Sequence, residues 1–224
     1  MPDSPLPRTI TVAGGQVSAL LLRPLHARAL LVFGHGAGAG MSHPFMEEVS
    51  QRLAGKGIAT LRYQFPYMEK GLSRTDSPPV AAATVRAACA MARTEAPDLP
   101  LVAGGKSFGG RMTSTAQANE PLSGVRGLVF FGFPLHPPKR PGTTRAEHLS
   151  RVRLPMLFLQ GTRDDLADLV LIRDVTGQLG PLATLHIVEG GDHSFAVLKR
   201  SGRTGDEVMT ELASTTAEWV DRLP

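Results

Sequence analysis

The sequence predicts an α/β protein with a mostly parallel β-sheet and helices on both faces. Short, wholly apolar runs such as residues 29–33 are typical of strands that are buried on both faces. These runs alternate along the chain with segments of helical periodicity, which is the order of a parallel sheet with crossover helices. At the N-terminus, residues 9–12 and 16–23 alternate partly in polarity around Gly14-Gly15 and predict an antiparallel hairpin. We expect one domain over residues 1–224, because the chain has no repeat and no linker.

The other elements follow the same alternation. The strand at 29–33 runs into the glycine-rich segment 34–40, and a helix over 44–56 ends at Gly55 and Gly57. Further strands are predicted at 58–63, 101–104, 125–131, 156–160 and 184–188, and further helices at 80–94, 111–118, 167–179 and 205–222. Residues 64–78, 132–150 and 194–204 are expected to form loops that are too short for a separate cap domain.

Composition excludes several function classes. The formal net charge is +4 and the isoelectric point is about 9.6, but the basic residues are scattered, which does not favour nucleic-acid binding. One cysteine, Cys89, excludes an intramolecular disulfide and is expected to be a small packed side chain. Residues 1–7 lack the pattern of a signal peptide, and no apolar run approaches the roughly 20 residues of a membrane span. We therefore expect a cytoplasmic protein without a membrane segment.

The segment 105–109 reads Gly-x-Ser-x-Gly and lies between a predicted strand and a predicted helix. This pattern is typical of a nucleophile elbow, a tight and strained turn that lifts a serine clear of the sheet. Glycines two residues before and after Ser107 supply the backbone freedom and the space that such a turn needs. Ser107 is therefore the candidate nucleophile.

A serine nucleophile needs a base, and the base needs an orienting acid. Asp164 and His193 each follow a predicted strand within five residues, and the chain order is Ser107, Asp164, His193. Because parallel strands end at one edge of a sheet, these three side chains are expected to meet there. Asp165 and Asp168 remain alternatives to Asp164, and any of the three could cap the helix near residue 167. Asp192 is expected to be a hydrogen-bonding residue of the histidine loop.

An oxyanion hole is expected beside Ser107. One backbone N–H should come from Phe108, the residue after the nucleophile, and the second from Ala37 in the loop after the 29–33 strand. In that loop, His35 is expected to hold the backbone in place rather than to act as a second base.

These motifs identify a resemblance. The segments GGKSFGGR (104–111), FGFPLHPP (131–138) and LQGTRD (159–164) resemble α/β-hydrolases of the dienelactone-hydrolase-like branch. They are similar to a subgroup that includes bacterial proteins, a testis-expressed protein and the hydrolase-like domain of a chromatin-regulatory subunit. The resemblance covers about residues 29–223 and implies an α/β-hydrolase fold in which Ser107, Asp164 and His193 form the triad. Dienelactone hydrolase itself carries cysteine at the elbow, so its substrate is not carried over.

Several other side chains have two interpretations. Tyr63, Tyr67, Phe133 and Phe195 follow strand ends and are expected either to line a pocket with His35 or to pack in the core. Lys106 should reach solvent or pair with a carboxylate, with an anion-binding role as the weaker alternative. We expect the remaining loop histidines at the surface or the pocket rim, and no metal site because none are paired at ligand spacing: His43, His136 and His148.

One rival motif is rejected. Gly34-x-Gly36-x-x-Ala39 matches the looser dinucleotide fingerprint, which requires an acidic residue near the end of the next strand. The chain has Arg62-Tyr63 at that place, and the dinucleotide interpretation leaves the Ser, Asp and His arrangement unexplained.

The sequence therefore favours a serine hydrolase that cleaves small or medium acyl esters or thioesters through an acyl-enzyme, with no cofactor and a small-molecule substrate. The alternative from another class is a catalytically silent interaction module that keeps the fold. A peptidase is less favoured, because no loop suggests a peptide cleft. The acyl preference and the oligomeric state do not follow from the sequence.

Overall fold

A computed structural model describes residues 4–224, and residues 1–3, which are part of the segment 1–7 considered for a signal peptide, lie outside the described part. Eight strands form one sheet in the order β1-β2-β4-β3-β5-β6-β7-β8. The strands are β1 (Leu6–Val12), β2 (Gly15–Leu22), β3 (Ala29–Gly34), β4 (Ile58–Tyr63), β5 (Leu101–Lys106), β6 (Val125–Phe131), β7 (Met156–Gly161) and β8 (Ala183–Val188). β1 and β2 form an antiparallel hairpin, β2 pairs antiparallel with β4, and all other pairs are parallel. The predicted sheet and hairpin are confirmed.

Helices cover both faces of the sheet. They are α1 (Pro44–Ala54), α2 (Pro66–Glu69), α3 (Pro78–Glu95), α4 (Phe108–Asn119), α5 (Leu169–Leu179) and α6 (Gly205–Asp221). α1 and α6 pack with one face of the strands, and α3, α4 and α5 pack with the other. Alternate residues of β3 accordingly belong to two separate core clusters, Leu30 and Val32 to one and Leu31 and Phe33 to the other. This two-sided burial explains why the inner strands are apolar throughout.

The structure differs from the predicted boundaries around the elbow and in two loops. β5 continues to Lys106 and α4 begins at Phe108, so only Ser107 separates strand from helix. The predicted 64–78 loop contains α2, which starts at Pro66, a residue whose fixed φ suits a first helical position. The predicted 132–150 loop contains a 3-10 helix at Thr144–Arg151. Both of these helices are too short for their periodicity to show in the sequence.

The topology positions the candidate site. Because β3, β5, β7 and β8 are parallel, their carboxyl ends lie along one edge of the sheet, and the segments that follow them carry His35, Ser107, Asp164 and His193. None of the helices within residues 4–224 combines the length and the apolarity that a membrane crossing requires.

Candidate active site

Ser107 lies on a strained turn at the carboxyl end of β5. Its backbone has φ +48° and ψ −109°, a conformation that side-chain-bearing residues rarely adopt. The turn is tight because Gly105 and Gly109 let the backbones meet. A Cβ on Gly105 would stand 2.4 Å from the Gly34 carbonyl oxygen, and one on Gly109 would stand 2.3 Å from the same atom. The glycine spacing therefore has a steric cause, namely the close approach of the elbow to the end of β3.

Ser107, His193 and Asp164 form one hydrogen-bonded chain. The Ser107 hydroxyl donates to Nε2 of His193 over 2.9 Å, and Nδ1–H of His193 donates to Oδ2 of Asp164 over 2.8 Å. The imidazole is the tautomer with its proton on Nδ1, because an ionised carboxylate can only accept a hydrogen bond. The imidazole is therefore placed to accept a proton from the hydroxyl, with a carboxylate behind it.

Asp164 is held from two further directions. Its side chain is fully buried and accepts a hydrogen bond from Nε2 of Gln160 at 2.5 Å and one from the Leu166 N–H at 2.8 Å. Gln160 also accepts the Phe133 N–H, so it is fixed in turn. The sequence analysis did not single out Gln160, although it is the one polar side chain in the otherwise apolar strand β7.

The competing acids have other roles. Asp168 caps α5 and accepts the N–H groups of Val170 and Leu171, while Asp165 is exposed. Asp192 accepts the N–H groups of Ser194 and Ala196 within the histidine loop. Of these four carboxylates, Asp164 is the one that receives a hydrogen bond from His193.

His35 fixes the loop that follows β3. It is fully buried, Nδ1–H donates to the Gly36 carbonyl at 2.8 Å, and Nε2 accepts the Phe65 N–H at 3.1 Å. Burial lowers the pKa of His35 to about 4, so the ring is neutral near pH 7, as its accepting nitrogen requires.

Two residues at the end of β4 hold the next part of the same loop. Arg62 is buried and donates to the Met41 carbonyl at 3.0 Å, and Gln64 accepts the Met41 N–H at 2.8 Å. Arg62 is thus a support of the loop, which agrees with the rejection of the dinucleotide motif.

The two predicted oxyanion donors flank Ser107. Phe108 is the first residue of α4, where an N–H has no helical acceptor, and Ala37 lies in the loop that His35 holds. In residues 4–224, neither amide donates to another protein atom. Both N–H groups are therefore unengaged, as an oxyanion hole would require.

A cavity of about 500 Å³ opens at Ser107. Its apolar wall comes from α1, α6 and the segment after β7, and its polar side chains include the candidate Ser107 and His193. The lining residues are Gly36, Ala37, Gly38, Ala39, His43, Phe45, Met46, Glu48, Lys106, Ser107, Leu166, His193, Ser194 and Met209. A cavity that combines an apolar wall with polar groups beside a candidate nucleophile is typical of a small-molecule site.

The residues considered for the pocket all lie in the core instead. None of these five is among the lining residues, and none is more than 1% exposed: His35, Tyr63, Tyr67, Phe133 and Phe195. Phe195 stacks on the cavity residue Phe45, with ring centroids 5.9 Å apart. Of the two interpretations, core packing is the one that the structure supports. The cavity is lined by α1 and α6, whose contribution depends on how the helices pack.

The other loop histidines differ in part from expectation. His43 is exposed at the cavity rim and caps α1 by accepting the Phe45 N–H. His136 was expected at the surface or the pocket rim but is buried and does not line the cavity, and its Nε2 accepts the Asp168 N–H. His148 is half-buried, with Nε2 2.7 Å from the Ser114 hydroxyl.

The Ser114–His148 pair does not resemble a nucleophile and its base. The Ser114 hydroxyl is fully buried in α4 and donates to the Arg111 carbonyl at 2.9 Å, so the imidazole is its donor. Burial, with the neighbouring charges of Arg111 and Arg151, lowers the pKa of His148 to about 4. For the described residues 4–224, no three His, Cys, Asp or Glu side chains are grouped as a metal site would need.

Comparison with known proteins identifies the family. A family model described as "alpha/beta hydrolase domain" matches residues 27–221. The chain belongs to the α/β-hydrolase family. The predicted family is thus confirmed, and the match covers the elbow, the acid, the histidine and the loop after β3.

Solved α/β-hydrolase structures have the same fold. A dienelactone hydrolase from Anabaena variabilis superposes with a TM-score of 0.78 at 21% identity, with 100% of this chain and 99% of that chain covered. An α/β serine hydrolase homologue from Coxiella burnetii has a TM-score of 0.76 at 18% identity, with 94% and 96% covered. An α/β serine hydrolase without a lid from Xanthomonas campestris has a TM-score of 0.74 at 19% identity, with 100% and 97% covered. These likenesses show the fold, which is the fold that the predicted dienelactone-hydrolase-like branch implies, while the narrower subgroup stays a prediction.

Proposed function

We propose that this α/β-hydrolase is a serine hydrolase that cleaves small or medium acyl esters or thioesters. The observation that carries the proposal is the hydrogen-bonded chain from Ser107 through His193 to Asp164, which opens on the 500 Å³ cavity. The neighbouring structures named for serine hydrolases support the choice of class, although the likeness itself concerns the fold. We propose that the whole chain acts as one domain, because all eight strands belong to a single sheet.

The proposed acylation step uses these side chains directly. Ser107 Oγ attacks the acyl carbonyl carbon while its proton passes to Nε2 of His193. The carbonyl π electrons move to oxygen, where the N–H groups of Phe108 and Ala37 receive the negative charge. Each such donor contributes about 3 kcal/mol to transition-state stabilisation. Asp164 stabilises the imidazolium through Nδ1. The C–O or C–S bond then breaks, and the leaving group takes the proton from Nε2.

Deacylation repeats the same steps with water. Water loses a proton to His193, attacks the acyl-enzyme carbon, and releases the acid as Ser107 regains its proton. The cavity accepts a small or medium acyl group because its apolar residues lie beside Ser107 and its volume is limited. The chemistry is complete with these side chains and one water molecule.

The test is covalent labelling with a fluorophosphonate, read by intact mass. The wild type should gain one adduct and Ser107→Ala should gain none. Ser114→Ala is the matched control, because it removes the other histidine-bonded serine and should label like the wild type. Asp164→Asn, which reverses the hydrogen-bonding requirement at Nδ1, should slow labelling by about 10³-fold or more.

A folded wild type that takes no adduct would overturn the hydrolase proposal and favour the silent interaction module. An adduct that persists in Ser107→Ala but is lost in Ser114→Ala would show that the nucleophile is Ser114 on α4. If labelling follows Ser107, a panel of esters and thioesters graded by acyl length would then define the substrate range.

A further inference from the structure

Lys106 occupies an unusual place between Gly105 and Ser107. It was expected to reach solvent or to pair with a carboxylate, but among residues 4–224 it forms no ion pair. Its ammonium instead donates a hydrogen bond to the backbone carbonyl of His193, in the loop between β8 and α6, over 2.5 Å. Nζ also lies over the rings of Phe45 and Phe195, at 5.8 and 5.3 Å from their centroids.

The ammonium and the His193 ring share one small space. A Cβ on Gly132 would stand 3.0 Å from Lys106 Nζ and 3.5 Å from both Cε1 and Nδ1 of His193. Gly132 therefore lies against both groups, and a Cβ there would crowd the ammonium while it would contact the His193 ring at an ordinary distance. Lys106 is one of the residues that line the cavity, and its charged end donates to the histidine loop.

This placement has an energetic cost. Burial lowers the pKa of Lys106 to about 8, against the attraction of Asp164 and Asp192, which raises it. A methionine would fill the same stem volume between the aromatic rings without desolvating a charge. What the lysine adds over a methionine is a charge-assisted hydrogen bond to the histidine loop.

The bond from Lys106 ties the histidine loop to the turn that carries Ser107. This loop spans residues 189–204 between β8 and α6, and it carries the base that must meet a hydroxyl on a different strand. Lys106 is covalently joined to Ser107, so a bond from its side chain to the His193 backbone links both members of the Ser–His pair through one residue. An error of about 1 Å in such a pair can cost 10²-fold in rate.

We propose that Lys106 is a positioning residue that fastens the His193 backbone to the strand end carrying Ser107. The proposal rests on the proposed hydrolase function for its effect on rate, but the anchoring itself can be measured without turnover. Lys106 acts through His193 and takes no part in bond making or breaking.

The variant Lys106→Met tests the proposal, with Lys199→Met as the matched control because Lys199 is an exposed lysine farther along the same loop. We expect fluorophosphonate labelling of Lys106→Met to slow by about 10- to 100-fold, with kcat for an ester falling and KM within about twofold of wild type. Lys199→Met should match the wild type. Equal labelling rates for all three proteins would overturn the proposal.

The pH profile separates positioning from a general loss of folded protein. The wild-type labelling rate should fall as pH rises through about 8, because an uncharged amine makes a weaker hydrogen bond, and Lys106→Met should lack this decline. The charged or titratable groups around the site are Asp164, Asp192 and His193, with His43 and Glu48 at the cavity. A decline that persists in Lys106→Met would not come from Lys106 and would count against the proposal.

Hydrogen–deuterium exchange gives a readout that is independent of chemistry. In Lys106→Met, amides of residues 189–198 should exchange at least several-fold faster than in Lys199→Met, with circular dichroism as the check on folding. If the wild type takes no label but the loop of Lys106→Met exchanges faster, the hydrolase proposal is overturned and the anchoring proposal is supported. If the wild type is labelled but Lys106→Met shows unchanged loop exchange and an unchanged labelling rate, the hydrolase proposal is supported and the anchoring proposal is overturned. If Lys106→Met does not fold, the protection factors of residues 189–198 in the wild type at pH 7 and pH 9, which are corrected for the intrinsic exchange rate at each pH, test the same bond. Unchanged protection factors would overturn the proposal.

Discussion

At the scale of single residues, hydrogen-bond direction decides which chemically capable groups are free to react. Ser107 and Ser114 both contact a histidine, but the Ser114 hydroxyl donates to a backbone carbonyl whereas the Ser107 hydroxyl donates to the imidazole. The same principle distinguishes Asp164, which accepts from His193, from Asp168, which accepts from a helix N-terminus. In each comparison the two residues are of the same type, so residue type alone does not distinguish them.

His35 should make stability depend on acid pH. Its pKa falls from 6.5 in the unfolded chain to about 4 in the fold, so the unfolded state binds the extra proton between those values. The stabilisation is complete above pH 6.5 and is lost as pH falls toward 4, by up to about 3 kcal/mol. Urea unfolding of wild type and His35→Asn at pH 7 and 4.5 should show a smaller pH effect in the variant by about 2 kcal/mol.

The exposed His26→Asn is the control for that comparison and should keep the wild-type pH effect. His148 contributes in the same direction but is present in every protein compared, so its effect cancels. An identical pH effect in His35→Asn and wild type would show that the buried ring does not stay neutral.

At the scale of elements, the segment joining β7 to α5 contains three aspartates that have three different roles. Asp164 turns back to the sheet edge, Asp165 faces solvent and Asp168 caps the helix. The division follows from the helix starting point: α5 begins at Leu169, so Asp168 occupies the position where a carboxylate can accept two free N–H groups.

Removing the cap should destabilise the protein without removing the proposed triad. Asp168→Ala leaves the N–H groups of Val170 and Leu171 without their acceptor, and we expect a loss of about 1 kcal/mol in the free energy of unfolding. Asp165→Ala, three residues earlier and exposed, should stay within about 0.5 kcal/mol of wild type. Urea denaturation measures both, and equal losses in the two variants would contradict the capping role.

At the scale of the whole molecule, the cavity is assembled from parts that are distant in sequence. Met46 on α1 and Met209 on α6 lie on one face of the sheet, and Leu166 follows β7. Arg52 joins the two helices, because it donates to Glu48 on its own helix at 2.9 Å and to Asp206 on α6 at 2.5 Å. The width of the site therefore depends on how α1 and α6 pack against each other.

Filling this cavity should shorten the preferred acyl group. Met209→Trp adds bulk beside the proposed acyl position, so the kcat/KM of an octanoyl ester relative to an acetyl ester should fall by about tenfold or more. Glu218→Trp, an exposed position near the end of the same helix, is the control and should leave this ratio unchanged. An unchanged ratio in Met209→Trp would place the acyl group elsewhere.

Much of this architecture could be predicted from the sequence because it depends on local rules. Apolar runs gave the strands, and the spacing of Gly105, Ser107 and Gly109 indicated a turn that the strained φ of Ser107 confirms. Boundaries were less accurate where the signal is weak. α2 and the 3-10 helix at Thr144–Arg151 are too short to show a period, and α4 begins at Phe108 because the elbow packs directly on β3.

The sequence by itself determined the fold class, the family, and Ser107 and His193 as the proposed nucleophile and base, since each rests on residue type, spacing and chain order. Only the tertiary structure decided which aspartate meets His193, that Gln160 holds it, that the candidate pocket aromatics are core, and that Lys106 turns to the histidine loop. The physical reason is the sequence separation over which each effect acts. Periodicity and turn chemistry act between neighbours in the chain, whereas burial and hydrogen-bond partners at the sheet edge depend on segments brought together only by folding.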